Sequence, residues 1–201
     1  MAAALSYRHL DTGAMYRAVA LAAARRGIDA SDENGLEELL RELDLGIEVE
    51  DGEQRVYLDG EDVSDEIRRP EVSRAVGAFA DVPLVRKALI ERQRSLGDAG
   101  GVVADGRDAG SVIFPEADLK IRMTADLDER ARRRHREFIA KGVSTSIEQV
   151  TADIARRDHR DETRDYGATH DPAETLVLDT TDLTETEQVD HIVKWAKERG
   201  A

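Results

Sequence analysis

The sequence predicts an α/β fold with a mostly parallel sheet, helices on both faces and one small β insert. Three observations carry that expectation. Short apolar strands alternate with helical stretches over most of the 201 residues, the pattern of strand–helix–strand crossovers. One stretch, Leu45 to Ile67, breaks the alternation with strand, turn and strand in quick succession. Two strand ends, Asp11-Thr12-Gly13 and Asp105-Gly106-Arg107-Asp108, are polar and carry glycine, as expected where open α/β sheets hold ligands.

A short lead through His9 and Leu10 reaches Asp11-Thr12-Gly13, after which Ala14 to Arg26 reads as a helix with Met15, Val19, Ala22 and Ala23 on one face. Asp11 or Thr12 is placed to cap its start, and Gly27 stands where a helix stops. Leu36 to Leu43 is a second helix. In the insert, Ile47-Glu48-Val49-Glu50 alternates, Asp51-Gly52 signals a turn, Val56-Tyr57-Leu58 is a strand and Asp59-Gly60 a further turn. Pro70 precedes a helix, and Pro83 opens another that runs to about Leu96. Gly101 to Asp105 and Leu119 to Met123 are short strands. Asp126 to Lys141 is a charged helix, and Ser146 to about Arg164 a further one that a break could interrupt. Leu176 to Asp179 is the last strand and Glu185 to Arg199 the closing helix.

The length suits one domain of roughly 150 residues plus a small insert, able to bury about 70% of its unfolded surface. The chain has no cysteine, which excludes a disulfide scaffold. His9, His135, His159, His170 and His191 fall at no metal-ligand spacing, so a zinc site is not expected. No apolar run approaches the roughly 18 residues of a membrane span. Met1 to Leu5 lacks the basic and apolar regions of a signal peptide, and a soluble, cytoplasmic protein is expected. No G-x-S-x-G elbow supports a hydrolase. Asp and Glu number 43 against 29 Lys and Arg, a net charge of −14 that argues against general nucleic-acid binding. A local arginine cluster can still hold an anion. Lysine occurs only at Lys87, Lys120, Lys141, Lys194 and Lys197; the arginine bias follows either from codon usage or from the planar fork that fits phosphate.

Three constellations could carry chemistry. At the first strand end, Arg17 lies one helical turn beyond Asp11-Thr12-Gly13. At the second, glycines permit close backbone approach and Arg107 can fork onto a phosphate. Ordinary turns with capping carboxylates explain both equally well. In the third, Arg157, Asp161 and Arg164 fall at i, i+4 and i+7 of a helix, either as a carboxylate between two ligand-holding guanidiniums or as a solvated face of ion pairs. The densest basic run, Arg130 to Arg136, has no interleaved aromatics, which weakens an RNA reading.

Four of these words together resemble the bacterial cytidylate kinase family: Leu10-Asp11-Thr12-Gly13-Ala14-Met15-Tyr16-Arg17, Gly60-Glu61-Asp62-Val63-Ser64, Gly106-Arg107-Asp108-Ala109-Gly110-Ser111-Val112-Ile113-Phe114-Pro115 and Arg157-Asp158-His159-Arg160-Asp161. Order and spacing match over nearly the whole chain. The resemblance implies a three-layer P-loop nucleoside-monophosphate-kinase fold with a kinase core at 1–44 and 68–201, a CMP-binding β insert at 45–67 and a helical lid at about 126–157. It implies transfer of a phosphoryl group from ATP, with Mg²⁺, to CMP or dCMP, by a monomer. It implies that Arg17 and Arg107 hold the CMP phosphate, that Arg86 joins the CMP site, and that Thr12 and Asp108 read the cytosine amino edge. Arg157 and Asp161 would bind ribose hydroxyls and reacting phosphates, with Arg164 beside the base; Arg107, Arg157 and Asp161 form the implied catalytic set. Phosphoryl transfer needs alignment and positive charge at the equatorial oxygens, which arginines supply.

The sequence departs from the family in three places. No G-x-x-x-x-G-K-[ST] loop is present, and Met1 to Leu5 reads as the tail of the helix that follows such a loop. On that reading, about two dozen residues of a central strand and phosphate loop are missing, and the chain keeps its CMP contacts while lacking most of its ATP binding. The alternative is a non-catalytic CMP-binding short form. Gly77 replaces a serine expected near the base, and Asp165 to Thr169 replaces a more apolar stretch.

Overall fold

The computed structural model describes residues 1–50, 53–140, 142–163 and 174–201. It is mixed α/β, and the chain divides into two compact units, Met1–Ala109 and Gly110–Ala201.

In the first unit a helical turn, α1 (Ala2–Leu5), leads into β1 (Arg8–Asp11), α2 (Thr12–Arg26) and α3 (Glu33–Glu42). An antiparallel meander follows: β2 (Leu45–Glu50), β3 (Glu53–Leu58) and β4 (Glu61–Asp62). A 3₁₀ turn at Glu66–Arg68 precedes α4 (Pro70–Ala80), α5 (Pro83–Gly97) and β5 (Val102–Asp105). β5 runs parallel to β1, with Arg8 opposite Val102 and Asp11 opposite Asp105. That register finishes the two polar strand ends side by side.

α2 is the centre of this unit. Its sequence predicts one apolar face, but Ala14, Met15, Tyr16 and Ala18 through Ala23 are all buried. The alanines are the reason: side chains this small let α3, α4, α5, β3 and β5 all close on the helix. It starts earlier than expected, at Thr12, because Asp11 Oδ1 accepts from the Ala14 N–H at 2.9 Å. Gly27 ends it with a left-handed φ of 67°. α3 also starts early, at Glu33, where Asp32 accepts from the Gly35 N–H at 3.0 Å. Pro70 is the first residue of α4 rather than its predecessor, and Pro83 likewise opens α5. At that position the missing N–H would have no partner anyway.

The meander places Leu45 opposite Leu58 and Ile47 opposite Val56. Leu45, Val56 and Leu58 are buried; the predicted turn at 51–52 lies outside the described residues. The Ser64 hydroxyl accepts from the Val56 N–H at 3.0 Å and donates to Asp62 Oδ1, so the Gly60 to Ser64 word closes the meander. Arg25 ties it to α2, donating to Glu61 at 2.7 and 3.0 Å and to Glu66 at 2.7 Å.

A π-helical turn at Ala109–Ile113 crosses the unit boundary in sequence. The second unit holds β6 (Ile121–Thr124), α6 (Leu127–Ala140), α7 (Ile147–Thr163), β7 (Leu176–Asp179) and α8 (Glu185–Glu198). β6 and β7 are parallel, with Ile121 opposite Leu176. α6 and α7 pack together, and α7 is continuous where a break was allowed for. Arg133 of α6 reaches the end of β7, donating to the Thr180 hydroxyl at 3.2 Å, to the Thr180 carbonyl and to the Thr181 carbonyl at 3.3 Å. α8 opens with a capping box between Thr184 and Glu187. The described strands thus form two parallel pairs and a meander rather than one continuous sheet; among the described residues no further strand bonds to either pair. No described helix is long and apolar enough to cross a membrane.

Candidate functional site

The carboxyl ends of β1 and β5, the first turns of α2 and the body of α5 bring one polar cluster together. Thr12 is 2% exposed and its hydroxyl donates to the Asp105 carbonyl at 2.8 Å. Residue 106 must be glycine for this: its φ is +151°, and a Cβ there would stand 2.1 Å from Thr12 Oγ1. Asp108 is buried and accepts from Arg86 Nη2 at 2.9 Å. Their side chains are 10% and 16% exposed, so loss of either would strand a charge in a poorly solvated place. Tyr16, one helical turn beyond Thr12, has a buried hydroxyl without a hydrogen-bond partner. Burial, then the charge of Asp108, pushes its phenol up to about 12 against the opposing effect of Arg86, so it stays a neutral donor. Gln93, two turns beyond Arg86 on α5, is wholly buried. Its Nε2 donates to the Thr12 carbonyl at 3.4 Å, and its Oε1 has no partner.

Beside this cluster, Arg17 Nη2 donates to Asp11 Oδ2 at 2.7 Å. Gly13 leaves room for that guanidinium, since a Cβ there would lie 3.3 Å from both Arg17 Nη1 and Asp11 Oδ1. Gln54 of β3 grips the Asp11 backbone: Oε1 accepts from its N–H at 2.7 Å and Nε2 donates to its carbonyl at 3.4 Å. On the exposed side of the strands, His9 pairs with Asp105 at 3.1 Å, and that hydrogen bond pushes the imidazole above its usual 6.5.

Thr12, Arg17, Arg86 and Asp108 therefore belong to one unit and one neighbourhood. Arg107 is exposed in the turn after β5. Arg157 and Asp161 stand one turn apart on α7 in the second unit, Arg157 exposed and Asp161 half-buried. Arg164 lies outside the described residues. Gly77 sits within α4. Much of the basic run on α6 is met by carboxylates: Arg130 donates to Asp158 at 2.7 Å, Arg132 and Arg133 to Glu129 at 3.1 and 3.0 Å, and Arg134 to Glu137 at 2.8 Å. Arg133 first, then Arg132, holds the Glu129 carboxyl below its usual range. Among the described residues no three His, Asp or Glu side chains cluster as a metal site.

Asp11 as an anchor, Tyr16, Gln54 and Gln93 were not singled out from sequence. Gln93 had a signal, since it follows Arg86 at i+7 and shares its helix face. Gln54 had none, because its partner is 43 positions away.

The chain is similar to known proteins over nearly its whole length. A family model described as cytidylate kinase matches residues 1–198. The chain is 43% identical over 192 residues to a protein named cytidylate kinase from Caldanaerobacter subterraneus subsp. tengcongensis, covering 96% of this chain and 84% of that one. It is 42% identical to the cytidylate kinase of Chromobacterium violaceum, covering 100% of this chain and 89% of the relative. A third, from Salinibacter ruber, is 45% identical across 98% of this chain and 88% of its own length.

Proposed function

Because this chain belongs to the cytidylate kinase family, we propose that it serves the transfer of the ATP γ-phosphoryl group to CMP or dCMP, giving CDP or dCDP. The polar cluster at the ends of β1 and β5 is the base and phosphate site for the monophosphate. Thr12 and Asp108 read the base. Thr12 has one hydroxyl proton and directs it to Asp105, which leaves only acceptor capacity toward a ligand. Asp108 accepts on one oxygen from Arg86 and offers its other. Two acceptors, each held by its own partner, suit an exocyclic amine, which cytosine has and uracil lacks. The held hydroxyl and carboxylate are the observation that carries the reading. Arg86 holds Asp108 in place, and Arg17 and Arg107 take the phosphate.

Arg157 and Asp161 on α7 take ribose hydroxyls and the reacting phosphates, with Arg164 beside the base. The helical segment at about 126–157 acts as a lid, 45–67 as the monophosphate-binding insert and 1–44 with 68–201 as the core. Lid arginines place positive charge on the equatorial oxygens and exclude water. ATP enters as its Mg²⁺ complex and is a substrate. The sequence holds no G-x-x-x-x-G-K-[ST] loop to cradle the ATP phosphates. A monomer in the cytoplasm suits a reaction between small soluble nucleotides.

Calorimetric titration with CMP, UMP and ATP–Mg²⁺, beside a coupled assay for ADP, tests the reading. The 201 residues are expected to bind CMP at least tenfold more tightly than UMP, about one or two hydrogen bonds' worth of discrimination. Equal binding of the two nucleotides, or none, would overturn the assignment of Thr12 and Asp108.

A further inference from the structure

We propose that Gln54, on the insert strand β3, is a positioning residue for phosphate recognition, setting the direction of Arg17 through Asp11. The inference rests on the reading of Arg17 as a ligand of the CMP phosphate.

An arginine side chain left free must be frozen when an anion binds, and that ordering weakens the complex. Arg17 is ordered in advance. Its Nη2 is held by Asp11 Oδ2 at 2.7 Å, and the other carboxylate oxygen caps α2 at Ala14. The carboxylate therefore cannot turn without uncapping the helix. What freedom remains lies in the Asp11 backbone, the last residue of β1, with φ −75° and ψ 95°. Asp11 pairs with Asp105 on one side. Gln54 grips the same residue through both its N–H and its carbonyl. A primary amide offers one acceptor and two donors, so it does for a single residue what a neighbouring strand would do. Gln54 is 5% exposed, which shields both bonds from water. Arg17 Nε is buried without a partner, a donor still to be satisfied in a guanidinium that is otherwise held. The side chain remains 22% exposed, enough for a phosphate oxygen to reach it.

The test measures binding of CMP by calorimetry and of cytidine by ligand-observed NMR, on the full chain and on Gln54→Ala, Gln54→Met, Arg17→Ala and the Gln54→Ala/Arg17→Ala double variant. Gln54→Met keeps the length of the side chain and removes its polar head, and is read if the alanine variant does not fold. Losing the grip should weaken CMP about five- to tenfold, the range of one or two hydrogen bonds, and leave cytidine unchanged. In the Arg17→Ala background, Gln54→Ala should cost almost nothing more, because the two act as one path. Equal loss for CMP and cytidine, or full additivity in the double variant, would reduce Gln54 to a structural residue while Arg17→Ala still weakened CMP. CMP binding that survives Arg17→Ala intact would overturn the phosphate role of Arg17 and this proposal with it.

Discussion

At the scale of single residues, protons decide what can bind. Thr12 directs its one proton to Asp105, so its hydroxyl meets a ligand only as an acceptor. Thr12→Val keeps the shape and removes that acceptor. CMP affinity should fall roughly tenfold while UMP changes little, and paired titrations would show the preference narrowing. His9 gives a pH prediction. Its imidazole is raised above 6.5 by the hydrogen bond to Asp105. The stabilisation is therefore fully present below pH 6.5 and is lost as pH rises through the raised folded value. Melting curves of His9→Gln and the parent should differ most in mild acid and converge in mild base. The gap will be small, since the two side chains are 36% and 63% exposed.

At the scale of elements, α6 is held to the end of β7 chiefly by Arg133, whose guanidinium reaches two successive backbone carbonyls. Arg133→Met keeps the aliphatic stem and removes the donors, and should cost about 1–3 kcal/mol, read as a lower denaturation midpoint at an unchanged slope. The cap at Asp11, the stop at Gly27 and the opening proline of α5 were legible, because each acts within a few residues of itself. The start of α3 was not: Asp32 caps it at Glu33, ahead of the expected Leu36. The all-round burial of α2 was not legible, because alanine is nearly silent in a periodicity and only its neighbours reveal that the helix is enclosed. The same contrast runs through the candidate site. Thr12 and Asp108 stand in recognisable words, but the grip of Gln54 on Asp11 exists only once β3 has folded against the end of β1. The pairing of Arg86 with Asp108 likewise depends on α5 being brought to the turn after β5.

At the scale of the whole molecule, charge and chemistry pull in opposite directions. The chain carries a net charge of −14, yet its reading requires it to attract phosphates. Self-repulsion should make the fold more stable as salt rises, with the melting temperature increasing as the Debye length shrinks to about 8 Å near 0.15 M. CMP affinity should move the other way, because salt screens the arginines. Measuring both across one salt series would separate the global field from the local one.

The fork of Arg25 onto Glu61 and Glu66 has a mechanical consequence. Together with the Gln54 grip at the opposite end of α2, it pins the meander to that helix at two points far apart along its length. A hinged flap is free to swing about one attachment; a plate bolted at two is not. Backbone amides of β3 should therefore exchange with solvent deuterium in step with those of α2, opening as one cooperative unit.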